Sequence, residues 1–260
     1  MKISISQYLG GTILLAMLGF AFLQPYFYPM DIGFQDLTNI LSNPNEIAWF
    51  GTDHLGRDML ARLASAIRLS FGLSLFSVIC ALIAGLITGI MAGFFGGWID
   101  RIFSFICDLV MALPGLLLVL LFAALSPGSF WTLYLGISLV MWVEFFRVIR
   151  SISSTMANSS EIQASRLMGM GWFYSFKRHL LPRLFPMIAT LSAFSLGNAI
   201  LALATLGFVS VGLRPPTAEL GLMMTELFPY YYEAPLIFLQ PVAAVFLMVL
   251  SLQLLSGRVK

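Results

Sequence analysis

The chain has 260 residues, 59% of them hydrophobic and 10% charged, with a formal net charge of +2 and a mean hydropathy of +0.93. Soluble domains average about 25% charged and 45–50% apolar residues, so this composition excludes an ordinary soluble domain and assigns the excess apolar surface to membrane lipid. With so small a net charge, nucleic acid is not expected as a partner.

Each membrane crossing needs roughly 20 apolar residues. Six stretches qualify, at about 8–29, 69–95, 103–125, 130–149, 186–212 and 236–256. Backbone groups inside lipid must bond internally, and the alternating ten-residue segments of a barrel are absent. The expectation is an all-α membrane protein with about six transmembrane helices. Residues 1–30 form an N-terminal transmembrane helix and 31–67 an outer segment with an interfacial helix. Residues 68–260 form a five-helix core carrying a cytoplasmic loop at 151–185.

The first stretch carries Lys2 ahead of its apolar run and only Gln24-Pro25-Tyr26 behind it. No small-x-small cleavage site follows, so it reads as a retained helix. In the outer segment, Asn43-Pro44-Asn45-Glu46 is a turn. It is followed by Trp49-Phe50-Gly51-Thr52-Asp53-His54-Leu55-Gly56-Arg57-Asp58. Thr52 or Asp53 is placed to cap a helix over about 53–66, with Asp53–Arg57 and Asp58–Arg62 paired at i,i+4.

In the second span Ser77, Ala81, Gly85, Gly89 and Gly93 recur every four residues, a seam suited to close helix approach within the subunit or across a dimer. Gly96-Gly97-Trp98-Ile99-Asp100-Arg101 marks a tight inner turn before the third span, which contains Asp108 and Pro114. Asp108 is expected to be an interfacial acid, hydrated or paired, and Glu144, on the last turns of the fourth span, to pair with Arg147 at i+3. Cys80 and Cys107 lie in apolar runs and read as small hydrophobes.

Residues 159–186 form a polar, basic loop containing Ala164-Ser165, Gly169 and Leu181-Pro182. The fifth span is the most polar, with Ser192, Ser195, Asn198, Thr205 and Ser210. An amide in hydrocarbon needs a partner, so Asn198 either bonds a neighbouring helix or lines a hydrated pathway. Ser195 and Asn198 are therefore the candidate pathway residues. The loop 211–235, with Arg214-Pro215-Pro216 and Pro229-Tyr230-Tyr231-Tyr232, is stiff and aromatic.

Basic residues favour the cytoplasmic side. A cytoplasmic N-terminus puts Lys2, Arg101, Arg147, Arg150, Arg166, Lys177, Arg178, Arg183, Arg258 and Lys260 inside. Arg57, Arg62, Arg68 and Arg214 fall outside, so both termini are expected in the cytoplasm. No phosphate-cradling GxxxxGK[ST], HExxH or GxSxG motif occurs, and His54 and His179 fall on opposite faces. Neither a catalytic site nor a metal site is expected.

Four ordered blocks carry a family resemblance. Phe50 to Arg62 closely resembles the FGTDxxGRDxxxR signature of the second permease subunit of dipeptide, oligopeptide and nickel ABC importers. Its marked positions here are Gly51, Thr52, Asp53, Gly56, Arg57 and Asp58. Pro215-Pro216-Thr217-Ala218-Glu219-Leu220-Gly221 looks like the same family's PPTxEWG block, with Leu220 in place of Trp, and Gly96 to Asp100 with Asp108 and Pro114 also fits. The loop at 159–186 is similar to the cytoplasmic EAA loop, reading Gln163-Ala164-Ser165. The chain ends at Lys260, where relatives continue with a longer tail.

The resemblance implies a type I ABC importer permease fold in the bacterial inner membrane. It implies a heterodimer with a homologous permease, two ATP-binding subunits inside and an extracytoplasmic solute-binding protein outside. No cofactor is expected in this chain, since ATP and Mg belong to the partner subunits. Glu161 to Gly171 would form the coupling helix, with Glu161, Gln163, Ala164, Ser165, Met168, Gly169 and Gly171 at the ATPase. Pro182 would end the segment as a stiff lever. The cargo implied is a short peptide or a nickel or metal–chelator complex. The competing classes are a self-sufficient secondary transporter or channel, which calls for inverted repeats or buried charges, and a non-transporting membrane scaffold.

Overall fold

The computed structural model describes residues 4–126 and 128–257. Among these there is no strand, only an isolated bridge between Thr52 and Asp58. Lys2, Arg258 and Lys260, three of the charges used to orient the chain, lie outside the described residues.

Helix α1 spans Ile5–Phe27 and is capped by Ser4, whose hydroxyl accepts from Gln7 N while the Gln7 side chain accepts from Ser4 N. It lies along the far end of the chain: a Cβ on Gly10 would sit 2.6 Å from the Ser251 carbonyl oxygen. The outer segment then runs without helix to Asp58. Helix α2, Met59–Phe95, is 37 residues long and starts ten residues before the expected span at 69. The expected interfacial helix over 53–66 is therefore corrected. Its first half is a loop, its second half is the opening of α2, and the boundary drawn at 67/68 falls inside that helix. The cap is the Asp58 carboxylate, accepting from Ala61 N at 2.8 Å, rather than Thr52 or Asp53.

Helix α5, Phe130–Ala157, packs against α2 through the glycine seam. A Cβ on Gly85 would lie 2.5 Å from Phe145 Cβ, one on Gly89 2.9 Å from Ile149 Cβ, and one on Gly93 2.5 Å from the Arg150 carbonyl oxygen. The small residues thus serve a contact within the subunit, where backbones approach too closely for any side chain.

The third expected span is broken. Helix α3, Gly97–Met111, and helix α4, Gly115–Leu125, meet at an 82° bend, so the described residues hold five long apolar helices, or up to six if the bent pair counts as one. Pro114 explains the break: it precedes Gly115 as the N-cap of α4 and cannot continue the hydrogen-bond ladder of α3.

Past α5 come the short helix α6, Ser160–Leu167, and α7, Trp172–Ser175. A five-residue π segment, Phe176–Leu180, joins α7 to α8, Leu181–Phe208, so that 172–208 is one continuous rod. Helix α9, Leu220–Leu227, and helix α10, Pro235–Leu255, complete the chain. Pro182 lies inside the 172–208 rod, two residues after the π segment. It therefore does not end the docking segment, which corrects that expectation.

Candidate functional site

Three regions collect the polar residues. The first is the outer signature. Gly56 holds φ +70, and a Cβ there would meet the Asp36 carbonyl oxygen at 1.9 Å, so only glycine fits the turn. Thr52 accepts from Ser42 N at 3.0 Å. The Gly51 backbone holds φ +77 beside the Ser42 carbonyl. Asp53 accepts from Leu55 N, Arg57 N and Arg57 Nε at 2.8, 2.9 and 2.6 Å.

The expected Asp58–Arg62 pair is not made. Arg62 Nη2 instead donates to Glu226 Oε2 on α9 at 2.7 Å, and Arg57 Nη2 donates to the same oxygen at 2.9 Å. Arg62 Nε also lies 3.3 Å from Asp53, and the Arg62 side chain is 1% exposed. Asp58 is free to cap α2 and to accept from Tyr28 Oη at 2.9 Å. Burial and this carboxylate push the Tyr28 phenol up to about 12.

This is a buried, charge-balanced cluster that ties the outer segment to α9. His54 stacks on Tyr230 with ring centroids 5.6 Å apart, and burial lowers its pKa. Asp53, His54 and Glu226 could each turn a ligand atom toward one point. Both carboxylates are already bound to guanidinium groups, so a divalent cation there must displace two arginines. Behind α9, Glu219 caps the helix by accepting from Gly221 N and Leu222 N at 3.0 and 2.8 Å, and burial raises its pKa.

The second region is the inner loop. Helix α6 ends in a Schellman motif: Met170 N donates to the Ser165 carbonyl, Gly169 N donates to the Arg166 carbonyl, and Gly169 holds φ +76. The helical part is therefore 160–167, shorter than the expected Glu161–Gly171. The role of Gly169 is conformational, since no atom lies within 4 Å of where its Cβ would be.

One face of α6 is anchored. Ile162 is fully buried, Ser165 Oγ lies 3.0 Å from His179 Nε2, and Glu161 accepts from Arg183 at 2.7 Å. The other face is open, with Gln163, Ala164 and Gly171 exposed, Leu167 90% exposed and Met168 68% exposed. Pro182 is exposed too. The loop's basic residues and its aromatic run Trp172-Phe173-Tyr174 extend this open surface.

The third region is the seam between α5 and α8. Glu144 does not pair with Arg147, whose guanidinium turns to Met111 Sδ at 3.0 Å. It accepts from the fully buried Ser195 at 3.2 Å. The sequence placed Glu144 near a helix end because the apolar run fades at 149, but α5 continues to Ala157 and puts it at mid-helix. Asn198, one turn further along α8, lines a cleft of about 270 Å³ with Gly115, Val119, Val140, Met141 and Thr205. Asp108 is exposed, and among the described residues it makes no ion pair; the pair on α3 is Asp100 with Arg150, at 2.7 Å to Nη2.

The long apolar helices, the broken span and the half-anchored loop helix define a helical membrane protein with an open surface at one end. The family of binding-protein-dependent transport system inner membrane components matches residues 85–259. The glutathione transport system permease protein GsiD of Pectobacterium atrosepticum is 30% identical over 251 residues, covering 96% of this chain and 83% of its own length. The nickel transport system permease protein NikC of Escherichia coli K12 is 30% identical over 249 residues, covering 95% and 90%. The GsiD protein of Shigella flexneri is 33% identical over 225 residues, covering 86% and 74%. The chain belongs to this permease family: it is a membrane-spanning permease subunit of an ABC importer, not itself an enzyme.

Proposed function

We propose that this chain forms a translocation pathway with a homologous permease, receives cargo from an extracytoplasmic solute-binding protein, and is driven by two ATP-binding subunits docked on α6. It sits in the bacterial cytoplasmic membrane with both termini inside. The relatives' names, for glutathione and nickel transport, support a short peptide or a nickel or metal–chelator complex as cargo. The observation that carries the docking role is α6 itself. Ile162 is fully buried, Ser165 meets His179 in the π segment and Glu161 pairs with Arg183 on α8, while Leu167 and Met168 stand exposed. Such a helix moves with α8 as a unit and offers apolar side chains to another protein.

ATP-driven closure of the motors would then shift the continuous 172–208 rod, swinging the core between inward-open and outward-open states. Gln163, Ala164, Ser165, Gly169 and Gly171 act here by shape. Ser165 braces the helix from behind, Ala164 keeps the open face low, and Gly169 turns the chain away. The outer signature Gly51, Thr52, Asp53, Gly56, Arg57 and Asp58 holds the extracytoplasmic segment on α9. Co-purification tests the reading. The wild-type complex is expected to retain its ATP-binding subunits through a salt wash, and Leu167→Glu is expected to lose them while the two permeases stay together. Retention by the variant equal to wild type would refute docking at α6.

A further inference from the structure

The α5–α8 seam holds a carboxylate at a depth where carboxylates are costly. Glu144 stands near the midpoint of α5, about 20 Å from either end at 1.5 Å per residue, and Ser195 lies about 20 Å from the Phe208 end of the 172–208 rod. An acid at such depth faces protein or water, never hydrocarbon. Glu144 is half-buried, and among the described residues no Lys, Arg or His lies within ion-pair distance of it. Its neighbour Arg147 is exposed and turns its guanidinium to Met111 Sδ. Ser195 supplies one hydrogen bond and no charge.

The flanks of this position are open. Val140 and Met141, one turn before Glu144, and Asn198, one turn after Ser195, line one cleft. Val148, one turn after Glu144, lines a second cleft of about 240 Å³ with Thr190, Leu191 and Phe194. Glu144 itself lines neither cleft, but residues one turn to either side of it line both, and among the described residues its polar partner is Ser195, with no countercharge within ion-pair distance.

We infer that Glu144, held by Ser195 and flanked by Asn198, is a mid-membrane way-station for the positively charged group of the cargo, either a free ammonium or a chelated metal cation. The inference rests on the permease reading and extends it to the residue that attracts cargo within the pathway. Among the described residues no cation pairs with this carboxylate, and a passing one would complete the pair. Ser195 fixes the carboxylate's direction, so it is a positioning residue.

The test uses the complete complex in lipid vesicles, with Cys80 and Cys107 replaced by Ala and Asn198→Cys introduced. Labelling of position 198 is timed with a trimethylammonium methanethiosulfonate and with its sulfonate counterpart, with and without ATP. Relative to each reagent's own rate with a free thiol in solution, the cationic reagent is expected to react about tenfold faster, corresponding to about 1.4 kcal/mol. Glu144→Gln should erase that preference and Glu144→Asp should retain it. Protection of the cysteine by nickel(II)–histidine would identify the metal cation as the source, and protection by Ala-Ala the ammonium.

Equal rates for both reagents, no labelling at all, or protection by neither probe would overturn the proposal. ATP-dependent labelling without charge preference removes the way-station but leaves the permease reading. Charge preference that ignores ATP keeps the way-station and removes the motor.

Discussion

Glu226→Gln is the substitution from which the outer cluster has most to lose. Its Oε2 accepts from both Arg57 and Arg62, at 2.9 and 2.7 Å, and those arginine side chains are 3% and 1% exposed. Glutamine keeps the shape but removes the charge and turns an NH₂ group toward two guanidiniums. Two buried cations then share the single carboxylate of Asp53, and Arg62 already has Nε and Nη1 without hydrogen-bond partners. Breaking a buried pair by removing one partner costs about 3–5 kcal/mol. At about 2–4 °C per kcal/mol, that lowers the unfolding midpoint by roughly 6–20 °C. Glu161→Gln supplies the contrast, because Glu161 and Arg183 are 46% and 54% exposed, and such a pair contributes about 0–1 kcal/mol. Scanning fluorimetry of the purified complex measures both variants. A shift for Glu226→Gln no larger than that for Glu161→Gln would refute the idea that this cluster holds the outer segment on α9.

Gly89→Leu should destabilise the chain by about 1–3 kcal/mol or more, because its side chain must enter the space of Ile149; thermal unfolding reads this, and Gly72→Leu, which meets nothing within 4 Å, serves as control. Burial depresses the pKa of His54, so the unfolded chain binds the proton more readily; stability should be constant above the ordinary histidine pKa of about 6.5 and fall as pH drops below it, and His54→Gln should flatten that slope in a pH series of melting curves. Gly169→Ala should cost about 1–2 kcal/mol locally, from the left-handed φ alone, seen as faster amide exchange over 160–170, with Gly169→Asn closer to wild type.

The spans were legible in the sequence because lipid leaves helices no alternative, and the four-residue glycine seam announced a close helix contact. What it could not disclose was the partner, since nothing local distinguishes α5 of the same chain from a second subunit. The start of α2 at Met59 was hidden because Asp58, Arg62 and Arg68 interrupt the apolar run, and the buried Arg62 is paired with Glu226, 164 residues away in sequence. The i,i+4 rule found Asp53–Arg57 and failed for Asp58–Arg62, where capping α2 outcompetes the local pair. Glu144 was assigned to Arg147 on spacing alone, yet the helix turns Arg147 toward α3 and Glu144 toward α8. The polarity of α8 did single out Ser195 and Asn198, and the structure places both at the seam with α5.

The central claim is that α6 transmits motor movement to the membrane core. Binding-protein-stimulated ATP hydrolysis by the complete complex in lipid, compared between wild type and Leu167→Glu, tests it most directly. Stimulation is expected to disappear in the variant while its unfolding midpoint stays within the range set by surface substitutions. Full stimulation in the variant would contradict it.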